Sequence, residues 1–169
     1  MKSLFCFLIF ACTGSMTLLG QGNNVAVMDP DLDREVLIEY IDREGLYWGE
    51  FLEPMKSEYA SYVPGRALTE KIAEKLDGTG IVIVLGTWCH DSKIQVPRFL
   101  RIIDESGYDQ SAMKMIGVDR SKKAGTVDLS DLDIERVPTF IFFRDGEEIG
   151  RIVESPEGTL EEDIYEIIQ

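Results

Sequence analysis

The sequence predicts an α/β fold: one central mixed sheet with flanking helices, preceded by an N-terminal helical extension. Three observations carry it. Residues 81–85, Ile-Val-Ile-Val-Leu, form an apolar run rich in β-branched side chains, as in a strand covered on both faces. A helical stretch and a second apolar run over residues 113–118 follow. Strand, helix and strand in that order put two strands parallel. Asp145-Gly146 then separates two further strand-like runs, the signature of a tight hairpin that adds antiparallel strands.

Composition agrees with a folded domain. Of 169 residues, 44% are hydrophobic and 28% charged, which argues against a disordered or repetitive chain. With 31 acidic against 17 basic residues, the net charge of −14 repels phosphate backbones and argues against nucleic acid as a partner.

Residues 1–22 read as a secretory signal. Lys2 precedes an apolar run over residues 4–12, and small and polar residues follow, in the order of such signals. The run is too short to span a bilayer stably. Cleavage is expected after Gly20 or Gly22, making the protein exported, periplasmic or otherwise extracytoplasmic. Ile9-Phe10-Ala11-Cys12 loosely resembles a bacterial lipobox, and membrane anchoring follows only if Cys12 is lipidated. Cleavage after Gly20 or Gly22 removes Cys6 and Cys12. Cys89 is then the sole cysteine, and no intramolecular disulfide can form.

Residues 23–78 are expected to be a helical extension. Asp29 or Asp31 can cap a helix near Leu32, and Val36, Leu37, Tyr40 and Ile41 recur at helical spacing. Gly45 is expected to end that helix. A second helix is expected over residues 48–62, a turn at Pro64-Gly65, and a third helix over residues 67–76. The domain over residues 79–169 then runs β-α-β-(short α)-β-β-α. Its first helix reaches Ser106 with Pro97 inside it. A short helix is expected near residues 129–132, and the last helix turns Leu160, Ile164 and Ile167 to the sheet.

The chemistry concentrates at Trp88-Cys89-His90-Asp91-Ser92, where the first strand of this domain gives way to a helix. Free N–H groups and partial positive charge at a helix start stabilise a thiolate. His90, the only histidine, can add positive charge, whereas Asp91 opposes it. Ser92, one helical turn on, is placed to donate a hydrogen bond to the sulfur. Cys89 and one adjacent His do not make the spaced ligand pairs of a metal site, so no metal is expected. Asp29-x-Asp31-x-Asp33 lacks the glycine and terminal glutamate of a calcium loop. The basic cluster over residues 120–123 reads as a solvated loop.

Residues 80–169 resemble a domain of the thioredoxin superfamily. Trp88-Cys89-His90-Asp91-Ser92-Lys93 is similar to that family's Trp-Cys-x-x-Cys-Lys motif, and Pro97 falls at its helix-kink proline. Val137-Pro138-Thr139 resembles its cis-proline loop, and residues 140–146 resemble its closing hairpin. The resemblance implies a thioredoxin-like sheet, a nucleophilic Cys89 tuned by Trp88, His90 and Ser92, and substrate binding by Trp88, Val137 and Pro138. Two departures stand out. Ser92 replaces the family's second cysteine, making the site monothiol, and Ile83 stands near the position of a buried acidic residue found in many members.

The function expected is that of an exported, single-cysteine thiol–disulfide oxidoreductase without a cofactor. It would act on protein or low-molecular-weight disulfides and need an external resolving thiol. The competing expectation is a non-catalytic thioredoxin-fold module, peptide-binding or chaperone-like. The resemblance leaves residues 23–78 unexplained.

Overall fold

The computed structural model describes residues 23–169. The expected signal segment, with Lys2, Cys6 and Cys12, lies outside them. The elements in order are β1 (Val25–Asp29), β2 (Arg34–Ile41), α1 (Leu52–Ser61), α2 (Arg66–Lys75), β3 (Thr79–Leu85), α3 (His90–Ser106), β4 (Met113–Gly117), β5 (Thr139–Arg144), β6 (Glu147–Val153) and α4 (Leu160–Ile168). Short 3₁₀ turns cover Gly45–Tyr47, Gly49–Phe51, Gln110–Ala112 and Ser130–Leu132.

The six strands form one sheet in the order β1-β2-β4-β3-β5-β6. β3 and β4 are parallel, joined through α3 as the strand–helix–strand pattern requires. β5 runs antiparallel to β3, and β6 antiparallel to β5. The β5–β6 turn uses Asp145 and Gly146, both at positive φ (54° and 83°). Asp and Gly tolerate that region better than other residues, which is why the dipeptide signals a hairpin. α4 opens on a capping box: the Thr159 hydroxyl accepts from the Glu162 N–H while the Glu162 carboxylate accepts from the Thr159 N–H.

The first third of the expected helical extension is a β-hairpin instead. β1 and β2 pair antiparallel from Val25↔Ile38 to Asp29↔Arg34, and β2 continues onto β4 over Glu39–Ile41, extending the central sheet. Two physical features made this segment look helical. The Asp29 carboxylate does accept backbone N–H groups, from Asp31 and Leu32 at 3.0 and 3.1 Å, but it closes a hairpin turn rather than capping a helix. Val36, Leu37, Tyr40 and Ile41 fit helical spacing because β2 is covered on both faces. Leu37 and Ile41 join the helix-side core, while Tyr40 packs into the cluster on the other face. Gly45 opens a 3₁₀ turn where the end of a helix was expected. The two later helices of the segment are present as α1 and α2.

The main core lies between the sheet and the helices. Phe51 and Met55 from the α1 region and Ile72 from α2 are fully buried with Ile81, Ile83, Phe99, Leu100, Phe140 and Phe142. Each such side chain contributes about 1.5–3 kcal/mol by leaving water. The segment before residue 79 therefore shares one core with the rest. Phe99 stacks on Phe140 at 4.4 Å between ring centroids, fixing α3 against β5. The opposite face is covered by the connection between β4 and β5, through Val118, Ala124 and Val137 over Val84 and Ile116.

Candidate active site

β3 ends at Leu85, and residues 86–89 turn the chain into α3. Gly86 is required here: a Cβ at this position would fall 2.6 Å from the Trp88 indole. The indole is thereby free to lie over the loop, and its Nε1–H donates to the Val118 carbonyl at 2.8 Å. The Cys89 N–H donates to the Gly86 carbonyl at 2.9 Å, closing a tight turn. Cys89 is the N-cap residue of α3, in extended conformation (φ −80°, ψ 132°), and its carbonyl accepts from Lys93 N–H at 3.1 Å. The sequence-based position of the helix start is thus the observed one to within a residue.

Cys89 is half-buried and free. Its thiol donates to the Val137 carbonyl at 3.1 Å. Val137 and Pro138 belong to the loop entering β5, and the peptide bond between them is cis. That loop is tied down on its far side: the Pro138 carbonyl accepts from Glu154 N–H at 2.7 Å, and Arg136 pairs with Glu154 at 2.8 Å. Trp88, Cys89, Val137 and Pro138 are therefore brought together from elements separated by nearly fifty residues.

Ser92 and His90 take different places. Ser92 is completely buried, and its Oγ accepts from the Gly86 N–H at 3.2 Å. The hydroxyl expected to serve the sulfur secures the turn that carries it. Among the described residues, no first-turn backbone N–H is bonded to Sγ, because the thiol is turned to Val137. His90 is exposed at the start of α3. Ile83 is fully buried in the apolar core, so the strand beneath the site carries no carboxylate at that position. Among the described residues, no three His, Cys, Asp or Glu side chains converge as a metal site would require.

Sequence reasoning missed the contacts made by the N-terminal segment. The buried Thr87 hydroxyl accepts from the Leu37 N–H on β2 at 3.0 Å. Lys93, one turn after Cys89, donates to Glu50 Oε2 at 2.8 Å, and the other Glu50 oxygen pairs with Arg34 of β2. The Lys93 hydrogen bond, followed by that of Arg34, holds the Glu50 carboxyl below its ordinary value of 4.5 against the opposing effect of burial. No local signal marks these residues, because their partners lie far along the chain.

No family model matches the chain. A thioredoxin of Aspergillus fumigatus, Asp f 29, is 30% identical over 90 residues, covering 52% of this chain and 76% of its own. Thioredoxin H9 of Arabidopsis thaliana is 30% identical over 102 residues, covering 59% of this chain and 68% of its own. Among solved structures, mitochondrial thioredoxin 3 of Saccharomyces cerevisiae, in its oxidised form, aligns with 65% of this chain and 99% of its own. The identity is 21% and the TM-score 0.39.

Proposed function

The chain belongs to the thioredoxin family, and on that premise we propose that it is an exported thiol–disulfide oxidoreductase working through one nucleophile, Cys89. Membership supports thiol–disulfide exchange on disulfide substrates as the kind of function. The single-cysteine mechanism is our reading of this chain's own residues. The observation that carries it is the placement of Cys89: a half-buried thiol at the start of α3, facing the Val137-Pro138 loop, with a buried serine one turn on.

The chemistry balances as follows. Loss of the thiol proton frees Sγ from the Val137 carbonyl. The thiolate attacks one sulfur of a substrate disulfide, forming a Cys89–substrate disulfide and expelling the other sulfur as a thiolate, which takes up a proton. Val137 then has its carbonyl free for the incoming chain, and Trp88 and Pro138 flank it. Ser92 holds no thiol to break the mixed disulfide. The thiolate of an external thiol must attack the substrate sulfur of that disulfide, forming an external-thiol–substrate disulfide and expelling Cys89 as a thiolate. His90 is exposed at the start of α3, where a positive charge on its ring would favour the thiolate.

One experiment tests this directly. The mature protein incubated with a small-molecule disulfide should gain one mixed-disulfide adduct per chain by intact mass, and only an added thiol should release it. Cys89→Ser should form none. Failure of the wild type to form an adduct would favour the non-catalytic peptide-binding or chaperone-like module instead. That second reading draws support from the thiol being engaged on the Val137 carbonyl rather than presented free.

Export rests on Lys2, the apolar run over residues 4–12 and the small residues that follow. The natively produced protein should begin at Gln21 or Asn23, or at lipidated Cys12. An intact chain from Met1 in a cytosolic fraction would refute it.

A further inference from the structure

The segment before residue 79, which the resemblance leaves unexplained, touches the active-site turn at two points. One is neutral: Thr87 Oγ1 accepts from Leu37 N–H. The other is charged. Glu50, in the 3₁₀ turn ahead of α1, bridges Arg34 on β2 and Lys93 on α3. Lys93 lies one turn after Cys89, the N-cap residue of α3, and its N–H donates to the Cys89 carbonyl at 3.1 Å. Its side chain is only 16% exposed, so its ammonium is held in place rather than waving in solvent.

We propose that Glu50 is a positioning residue of the active site: by gripping Lys93 and Arg34 it sets how much positive charge the Cys89 thiolate experiences. The inference rests on the thiol–disulfide reading above. With Glu50 ionised, the three charges sum to one positive unit, and Lys93 is committed to a carboxylate. Without the carboxylate the sum is two, and Lys93 is free to turn along α3 towards the sulfur. Both changes favour the thiolate, so the sign is fixed. The other charged groups on the elements around the thiol are His90 and Asp91 on α3, Asp119 and Arg120 after β4, with Arg120 paired to Asp31, and the Arg136–Glu154 pair at the Val137-Pro138 loop. None of them bonds to Glu50 or Lys93 among the described residues.

The test is the pH profile of Cys89 alkylation by iodoacetamide in the folded protein, residues 23–169. In Glu50→Gln the midpoint should fall by on the order of half a pH unit, so that the rate below the midpoint rises about threefold. Glu50→Asp should stay close to wild type, because it keeps the charge. Adding Lys93→Met to Glu50→Gln should cancel the shift. Glu53→Gln removes an exposed carboxylate whose ion-pair partner is Lys56, and should leave the profile unmoved. An unmoved midpoint in Glu50→Gln overturns the inference, and so does an upward shift, which marks a merely structural role. A wild-type Cys89 inert at every pH would take down the oxidoreductase reading and this inference with it. An alkylated Cys89 with identical profiles in wild type and Glu50→Gln sinks this inference alone.

Discussion

The Cys89 turn is held from two sides, and the two sides are built from different groups. Towards the β4–β5 connection the contacts are to backbone: the Val137 carbonyl takes the thiol, and the Val118 carbonyl takes the Trp88 indole N–H. Towards the N-terminal hairpin one contact is again to backbone, the Leu37 N–H donating to the Thr87 hydroxyl, but the other joins charged side chains, Glu50 taking Lys93 and Arg34. Every residue brings a carbonyl, so the first side can be kept while its sequence varies. The Glu50 contacts of the second side exist only while particular side chains are present, and they respond to pH and salt. The first side gives the resting thiol a fixed acceptor. The second suits adjustment of this one protein.

Substitutions can break that contrast. The largest effect is expected from Ser92→Cys, which belongs to neither side and changes the chemistry outright. The new thiol sits one helical turn from Cys89 and beneath the same turn. On mild oxidation the variant should form an internal disulfide, lose two hydrogens by intact mass, and reduce insulin in the presence of dithiothreitol. Persistence of both thiols after oxidation would show that the two side chains cannot meet.

Next comes Thr87→Val, which keeps the shape but removes the acceptor of a buried N–H. Chemical denaturation should show a loss of about 1–3 kcal/mol. A change below a few tenths would show that the neutral contact on the hairpin side is dispensable. On the backbone side, Trp88→Phe removes one donor to a carbonyl and should lower stability by about 1 kcal/mol. A greater loss than in Thr87→Val would reverse the comparison.

The charged part of the hairpin side should also show in acid. The Glu50 carboxyl is held below 4.5 chiefly by the Lys93 hydrogen bond, and the Asp42 carboxyl below 3.8 chiefly by a hydrogen bond from Asn24. A carboxyl whose folded value is depressed adds stability that is fully present above its unfolded value. That stability disappears as pH falls through the folded value. Denaturation midpoints should therefore decline as pH drops below about 4.5, and Glu50→Gln should flatten part of the decline. The smallest effect is expected from Arg66→Ala, which breaks an exposed pair with Glu70. Chemical denaturation should show no measurable change in stability, because water screens so exposed a pair.

The sequence determined the elements whose signals are local. The run at residues 81–85, the Asp145-Gly146 turn and the apolar face of the last helix each depend on neighbours within a few residues, and β3, the β5–β6 hairpin and α4 stand where those signals put them. The start of α3 was equally legible, because a strand that gives way to helical periodicity has to turn near Cys89. Where neighbours did not decide, only the tertiary structure did. The segment over residues 25–41 carries an apolar spacing that either an amphipathic helix or a strand covered on both faces satisfies, and pairing with β4, more than seventy residues on, selects the strand. The partners of Ser92, Thr87 and Lys93 were fixed in the same way. A hydroxyl or an ammonium bonds whatever group the fold brings within about 3 Å, and the groups brought there, the Gly86 N–H, the Leu37 N–H and the Glu50 carboxylate, are identified by the packing of the hairpin and of α3 against one sheet.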